Sequence, residues 1–293
     1  MIETASRTIC GLSGGTMNVL LCRFPPLVRI ETTNACNSRC TICPHRRIQR
    51  PIRCMDDGLF TRIIDECARS GCGEIHLHNF GEPLLDDRLA QRVRYAKRQG
   101  LRTVKIFSNG SLLDEHWSRE LIEAGLDEIK ISFDGATREE FERIRAPLEF
   151  DRVVENVHRL VALRDELQSP MKVRVACCST SDKRGTMRML EGIVDGFAFG
   201  KVHNWANTVS AAHRWRIRKP CSRLWRTLTI LAGGEVALCC LDYDGQHVLG
   251  RIDERRSIGE VWHSAAYREV RRQHAEARQD EIPLCRNCSK AFV

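Results

Sequence analysis

The chain has 293 residues, 42% of them apolar and 29% charged, and its formal net charge is +8. This composition excludes a disordered chain and indicates one main domain with an appendage, and the scattered basic residues form no stripe typical of nucleic-acid binding. Fifteen cysteines are present, but the odd count and the missing signal-peptide pattern argue against a secreted disulfide scaffold. No apolar run reaches the roughly 18 residues of a membrane span. We therefore expect a cytoplasmic protein, without nucleic-acid or membrane partner, whose clustered cysteines bind metal.

Strand-like and helix-like segments alternate along the first two thirds of the chain. The predicted strands are Leu27–Thr33, Glu74–Asn79, Thr103–Ser108, Glu128–Phe133, Met171–Cys177 and Lys201–Ala206. The helical patterns between them are Gly58–Ser70, Arg88–Arg98, Glu115–Ala124, Phe150–Glu166 and Met187–Val194. This alternation implies a parallel sheet with right-handed crossovers, and six units are two short of a closed eightfold barrel. We predict an α/β fold, a partial (β/α)6 TIM-like barrel over residues 27–212, after an N-terminal extension at residues 1–26.

The pattern changes after Pro220. Thr227–Leu231 and Glu235–Leu238 flank Ala232-Gly233-Gly234, which predicts a β-hairpin. A basic helix follows at about Ile258–Glu276, and then a tail with cysteines. We predict a small C-terminal domain, a β-hairpin plus a helix, over residues 213–293.

Three cysteines come directly after the first predicted strand. Cys36, Cys40 and Cys43 have the spacing C-x₃-C-x₂-C in a polar loop. Loops at the carboxyl ends of barrel strands carry the chemistry of such folds. Three thiolates suit a metal cluster that keeps one ligand position open, and a zinc site with His45 as fourth ligand is an alternative.

A second set of cysteines lies in the C-terminal part. Four of them fit a tetrahedral site, and their spacing alone favours zinc and iron–sulfur equally. Cys240 is next to one of them, and neighbouring strand residues point to opposite faces, so we expect Cys240 to be a packed free thiol. The four candidate ligands are Cys221, Cys239, Cys285 and Cys288.

The C-x₃-C-x₂-C motif after strand one of an alternating βα chain resembles the radical S-adenosylmethionine (SAM) superfamily. Phe80-Gly81-Glu82-Pro83 resembles the family's G-G-E-P motif with Phe80 in place of its first glycine, and Ser108-Asn109-Gly110 resembles T-N-G. The resemblance implies a [4Fe–4S] cluster on the three cysteines, with SAM on the fourth iron. The SAM-binding residues that it implies are Ile42, Gly81, Glu82, Pro83, Ser108, Asn109, Ser132 and Asp134.

The C-terminal part resembles the twitch domain, a shortened SPASM domain. Its lone cysteine, its hairpin with G-x₄-C, its helix and its closing C-x₂-C carry the resemblance, which implies one auxiliary [4Fe–4S] cluster on the four cysteines. Length and cysteine set are similar to those of twitch-type dehydrogenases that oxidise an aminocyclitol alcohol. The resemblance implies hydrogen abstraction from a small polar substrate, the auxiliary cluster as electron acceptor, and an external electron donor such as flavodoxin or ferredoxin.

Several further residues are candidates for the reaction itself. Cys177 and Cys178 end the fifth predicted strand and are candidate hydrogen-atom donors. Arg174 on the same strand is expected to point into the barrel toward the SAM carboxylate, and His203 is a candidate base. We expect residues 204–207, Asn-Trp-Ala-Asn, to face the substrate. The alternatives are a radical SAM epimerase with a cysteine hydrogen donor, a peptide-modifying maturase and a zinc-binding interaction protein.

Overall fold

In the computed structural model, which describes residues 22–178, 182–205 and 219–289, nine strands form one sheet in the order β6-β5-β4-β3-β2-β1-β7-β8-β9. The first six strands pair in parallel in chain order, as the βα alternation predicts. Strand and helix crossovers thus form the predicted partial barrel. These strands are β1 (Leu27–Ile30), β2 (Glu74–His76), β3 (Thr103–Ser108), β4 (Glu128–Ser132), β5 (Lys172–Cys177) and β6 (Gly196–Phe199).

Amphipathic helices cover the outer face of this sheet. The side chains of Asp56, Asp114 and Thr137 accept hydrogen bonds from backbone amides in the first turns of three of them, which fixes where those helices begin. Outward-facing strand residues such as Val104 and Ile129 are fully buried beneath the helices. The helices are α1 (Asp57–Arg69), α2 (Leu89–Arg98), α3 (Glu115–Glu123), α4 (Arg138–Ile144), α5 (Phe150–Glu166) and α6 (Lys183–Leu190).

The sixth strand differs from the prediction. It is Gly196–Phe199, and residues 201–205 belong to no strand or helix, while residue 206 lies outside the described residues. The amide of Asp195 bonds the carbonyl of Val173 and leads the chain into β6 beside β5. The helix before this strand also lies earlier in the chain than predicted. It begins four residues before the predicted start, because the Asp182 side chain caps its first turn.

The C-terminal part continues the sheet of the barrel. Strand β7 (Thr227–Ile230) pairs in parallel with β1, and it forms the predicted antiparallel hairpin with β8 (Glu235–Ala237). A third strand, β9 (Val248–Arg251), was not predicted and pairs with β8. A short helix, α7 (Arg223–Arg226), precedes the hairpin.

The predicted basic helix is two helices. They are α8 (Ile258–Trp262) and α9 (Ala265–Ala275), and the hydroxyl of Ser264 accepts from the Tyr267 amide and begins the second. Ser257 forms a capping box with Glu260 at the start of the first. In the described parts of the chain no helix is long and apolar enough to cross a membrane.

Candidate active site

A cavity of about 500 Å³ opens at the carboxyl ends of the parallel strands. Residues from the cysteine loop, from the ends of β2 to β6 and from the C-terminal part line it together. Most of the predicted site residues are among them. Those lining it are Cys36, Cys40, Ile42, Cys43, Gly81, Glu82, Ser108, Asn109, Ser132, Cys177, Cys178 and His203.

The first cysteine loop presents its three thiols to this cavity. The Ser38 hydroxyl lies 3.5 Å from Sγ of Cys36 and 3.1 Å from Sγ of Cys40, and Nη1 of Arg145 lies 3.9 Å from Sγ of Cys40. Burial raises the pKa of the Cys43 thiol to about 12. Iron binding must therefore displace protons from the loop, and the hydroxyl and guanidinium are positioned to stabilise sulfur charge once it forms. Three thiols, with no fourth protein ligand beside them in the described part of the chain, fit an iron–sulfur cluster with one open iron.

His45 is turned away from the role that the zinc alternative gives it. Its Nε2 lies 2.7 Å from the carbonyl oxygen of Asn34. Among the residues described, no three His, Cys, Asp or Glu side chains converge on a single metal-ion position.

Gly81 brings the end of β2 against the cysteine loop. A Cβ at this position would lie 2.7 Å from the carbonyl oxygens of Ala35 and Thr33, and the glycine has φ +103°. The next amide, of Glu82, donates to the Ala35 carbonyl at 2.7 Å. Only glycine fits here, because the approach is backbone on backbone.

Glu82 is buried at the centre of a hydrogen-bond network. Its carboxylate accepts from the Ser108 hydroxyl at 2.8 Å and from the Asn109 amide at 2.6 Å. Burial raises its pKa to about 7, although these hydrogen bonds and the charge of Arg145 oppose the shift. Asn109 also donates to the Asn37 side chain at 2.8 Å, so the network joins the third strand to the cysteine loop. Pro83 is buried and starts a short 3₁₀ turn (Pro83–Leu85) without lining the cavity.

Asp134 stands behind the cavity wall instead of facing it. It is fully buried and forms an ion pair with Arg145. Its other oxygen accepts from the Cys178 amide at 2.6 Å. Asp134 thus holds the ends of β4 and β5 together, and Ser132 is the group from this segment that reaches the cavity.

Of the residues predicted to take part in the reaction itself, some line the cavity and one does not. Cys177, Cys178 and His203 line the cavity, and the His203 ring packs edge-on against Trp205 with centroids 5.6 Å apart. Arg174 is not among the lining residues: its Nε is 3.8 Å from a Glu128 oxygen and its side chain is 44% exposed.

Trp205 lines the cavity, but Asn204 does not face it. The Asn204 side chain bonds the carbonyl of Asn287 and the amide of Ser289, which flank Cys288. Residues 206 and 207 lie outside the described part of the chain. The Trp205 indole donates to the Ile42 carbonyl at 2.7 Å, so this segment ties the two cysteine regions to each other.

Three of the four C-terminal candidate cysteines lie near Arg223, and the fourth, Cys285, lies near Cys239. Cys239 and Cys288 pack in one small buried cluster with Cys240, and the Cys288 amide donates to the Cys285 carbonyl. The charge of Cys240 is the main cause that raises the pKa of the Arg223 guanidinium, and the charges of Cys239, Cys221 and Cys288 raise it further. A pool of thiols beside a buried cation fits an anionic iron–sulfur cluster.

The expectation for Cys240 is wrong in its reasoning. Strand β8 ends at Ala237, so Cys239 and Cys240 lie in a turn where strand alternation does not apply. Sγ of Cys240 lies 2.9 Å from Nη1 of Arg223, and both residues line the cavity. Arg223 was missed in the sequence, because an arginine two residues after a cysteine carries no motif of its own.

Comparison with known protein families matches both parts of the chain. A model of the radical SAM superfamily matches residues 30–166. A model of the SPASM iron–sulfur cluster-binding domain matches residues 221–289. The two models together span the cysteine loop, the ends of β1 to β4 and the C-terminal cysteines.

Individual sequence relatives match a smaller part of the chain than the two family models do together. A GTP 3′,8-cyclase of Chlorobaculum tepidum is 38% identical over 136 residues, which is 46% of this chain and 41% of the cyclase. Among solved structures, BtrN in complex with AdoMet and 2-DOIA has a TM-score of 0.64 at 18% identity and covers 90% of this chain and 92% of BtrN. Streptococcus suis SuiB bound to the precursor peptide SuiA has a TM-score of 0.70 at 12% identity, covering 86% of this chain and 67% of SuiB. At these identities the structures establish the fold alone.

Proposed function

We infer that this chain, a radical SAM protein with a C-terminal SPASM domain, is an enzyme that oxidises a hydroxyl-bearing small polar molecule of sugar or aminocyclitol type. Its cofactors are SAM, a SAM-binding iron–sulfur cluster and an auxiliary iron–sulfur cluster. When bound, they supply a 5′-deoxyadenosyl radical that removes a hydrogen atom from carbon, and an acceptor for one electron. Loss of that hydrogen atom, one electron and one proton converts a secondary alcohol to a ketone.

We propose a set of residues for each cofactor. We assign the SAM-binding cluster to Cys36, Cys40 and Cys43, and the auxiliary cluster to Cys221, Cys239, Cys285 and Cys288. Glu82, Ser108 and the backbone around Gly81 are placed to bind the polar groups of SAM, because a buried carboxylate suits its ammonium. Reduction needs an external donor such as flavodoxin or ferredoxin.

One observation carries the oxidation. The C-terminal cysteine region borders the same cavity as the SAM-binding loop, through Arg223 and Cys240. Four protein thiols leave the auxiliary cluster no open iron for binding substrate, which favours a role in accepting electrons. The alcohol proton must also leave, and His203 on the cavity wall is the side chain that we propose accepts it.

Cluster variants test the radical SAM assignment. We expect the triple variant Cys36→Ala/Cys40→Ala/Cys43→Ala to form no 5′-deoxyadenosine from SAM and dithionite, while it keeps about four irons per chain on the auxiliary site. Cys54→Ala is the matched control, since Cys54 is an exposed thiol outside both sets. Cleavage of SAM by the triple variant would contradict the assignment.

Isotope transfer tests the reaction. With a panel of sugars and aminocyclitols deuterated at the carbinol carbon, we expect deuterium in 5′-deoxyadenosine and a product that has lost two hydrogens. In an epimerisation the product keeps as many hydrogens as the substrate. Solvent deuterium at the carbinol carbon of such a product would show that a hydrogen atom was returned, and therefore that the enzyme is an epimerase.

The epimerase alternative has an observation of its own. Cys177 and Cys178 line the cavity, and burial together with the charge of Asp134 raises the pKa of Cys178 to about 12. Its S–H bond is therefore intact at neutral pH, which a hydrogen-atom donor requires. The discriminating measurement is Cys178→Ala, which should abolish product formation by an epimerase and spare that of a dehydrogenase.

A further inference from the structure

A row of stacked rings lies at the wall of the cavity, with a cation at each end. The rings of His76 and His78 stack with centroids 5.2 Å apart, and those of His78 and Phe107 with centroids 4.5 Å apart. Nη2 of Arg29 lies 3.2 Å from Nδ1 of His76, and Nζ of Lys130 lies 5.2 Å from the centre of the Phe107 ring. We call these five residues the ring row.

The charge of the ring row is carried by its two ends. Burial lowers the pKa of His78 well below its usual value, and the charges of Arg29 and Lys130 lower it further. Burial also lowers the pKa of His76, although the adjacent Glu74 carboxylate opposes the shift. Both imidazoles are therefore neutral at pH 7, and Nδ1 of His78 accepts a hydrogen bond from the Phe107 amide.

The chain's own acids balance this charge only in part. Glu128 is shared by three cations: its oxygens lie 3.1 Å from Lys130, 3.7 Å from Lys105 and 3.8 Å from Arg174. The Nε of Arg29 is buried and has no hydrogen-bond partner among the described residues. Leaving a buried guanidinium N–H unpaired is costly unless a ligand pairs it.

The lining of the whole cavity also has more cationic side chains than carboxylates. Among the described residues, its cationic side chains face one carboxylate, that of Glu82. One of the cations, Arg145, is paired with Asp134 behind the wall. The cationic lining residues are Arg29, Lys130, Arg145, Lys201 and Arg223.

We propose that the ring row binds anionic groups of the substrate, carboxylates or phosphates, through Arg29, His78 and Lys130. This inference rests on the proposed function and narrows its substrate to an acidic or phosphorylated hydroxyl compound. Arg29 offers its guanidinium at one end of the ring row, and Lys130 offers a second cation at the other end. A free amino sugar would place an ammonium between two cations, which Coulomb repulsion disfavours.

Calorimetric titration of the reconstituted, SAM-bound enzyme tests the proposal with simple probes. Inorganic pyrophosphate represents the phosphate source, citrate the carboxylate source, and erythritol a neutral polyol. We expect one of the two anions to bind at low ionic strength, and Arg29→Met/Lys130→Met to weaken that binding at least about tenfold. Arg29→Lys keeps the charge and should keep most of the affinity, which separates loss of charge from loss of folding.

The control variant changes the same charge elsewhere. Arg119→Met/Arg188→Met removes two exposed cations on α3 and α6, and should leave anion binding within about threefold of wild type. Failure of both anions to bind, or equal binding by the ring-row variant, would overturn the proposal. The titrations use no reductant, so an enzyme that binds the anion but forms no 5′-deoxyadenosine would contradict the proposed function alone.

Discussion

At the scale of single residues, Gly81 has the least freedom in the site. Its Cβ position is filled by the carbonyls of Ala35 and Thr33, and its φ is +103°. We expect Gly81→Ala to push the end of β2 off the cysteine loop, which lowers both the unfolding temperature and the iron content. Thermal unfolding and iron analysis of the reconstituted protein measure the two effects.

Gly100→Ala provides the control for that change. Gly100 has φ +84°, but nothing lies within 4 Å of its Cβ position, so the substitution adds backbone strain of about 1–2 kcal/mol without a collision. If Gly81→Ala and Gly100→Ala lost equal stability and kept equal iron, the close approach at Gly81 would be unimportant.

Glu82 gives SAM binding a dependence on pH. Its folded pKa is about 7, above the usual carboxyl value, so the folded protein binds this proton more tightly than the unfolded chain does. Ionising Glu82 therefore costs stability as pH rises toward 7, and the carboxylate that suits the SAM ammonium is complete only above 7. We expect SAM affinity to rise from about pH 6 to about pH 7.5 and then to level off.

The variant Glu82→Gln supplies the comparison. It cannot ionise, so equilibrium dialysis of SAM should show weak binding that is flat over the same pH range. A Gln variant with the wild-type pH profile would assign the titration to another group.

Cys239 and Cys240 pose a choice that sequence spacing cannot make. Both thiols lie near Arg223, but Cys239 has the G-x₄-C spacing and Cys240 is 2.9 Å from the guanidinium. We expect Cys239→Ala to lose about four irons per chain and Cys240→Ala to keep them. The reverse result would make Cys240 the ligand and leave Cys239 as the spare thiol.

At the scale of elements, the turn from β4 to α4 holds the wall of the site together. Arg145 directly follows α4, and it bonds Asp134 after β4 while reaching Cys40 in the cysteine loop. We expect Arg145→Met to destabilise the fold by about 3–5 kcal/mol, because Asp134 stays buried with its main cation removed. Denaturant unfolding measures the loss.

Removing the stranded charge should recover part of that stability. Arg145→Met/Asp134→Asn leaves a neutral amide that still faces the Cys178 amide through its oxygen. If the double variant were no more stable than Arg145→Met, the ion pair would not be the cause of the loss.

Most elements of the barrel were predictable because their signals are local. Thr103–Ser108 and Phe150–Glu166 have the predicted bounds, since alternation and helical periodicity are strong in both. The helix α4 was missed because it has only seven residues, and β6 because its burial does not alternate. Short or edge elements depend on neighbours that the sequence alone does not reveal.

The site follows the same division. The cysteine sets, Glu82 and Asn109 were predictable from motifs at strand ends. Arg29 and Lys130 lie inside strands and His78 lies just after β2, in segments that look like ordinary β strands in the sequence, and only the barrel turns them toward one cavity. Asp134 was assigned to the wrong side of the wall, because a residue after a strand end can face either the cavity or the next loop.

At the scale of the whole molecule, Glu31 joins the two parts of the chain. It follows β1, is fully buried, and binds Arg50 through both oxygens. It also accepts from the amides of Phe80 and Ala232, at the end of β2 and beside the C-terminal hairpin. With β7 paired to β1, we expect one cooperative unfolding transition in calorimetry.

Glu31→Gln probes that connection. It removes the charge that faces Arg50 at the junction, and should lower stability by about 1–3 kcal/mol while the transition stays single. Two separated transitions in the wild-type protein would show that barrel and C-terminal part fold independently.

The parallel pairing of β7 with β1 limits how such a chain can be engineered. If the C-terminal part alone were grafted onto another chain, it would bring its own hairpin but not the strand β1 with which β7 pairs. That pairing runs from Leu27 opposite Thr227 to Ile30 opposite Ile230. Chimeras between related proteins should therefore fold when strand β1 is transferred together with the C-terminal part, although β1 and β7 are far apart in the sequence. The segments that must be transferred together are neighbours in the sheet, but they are two separate stretches of the sequence.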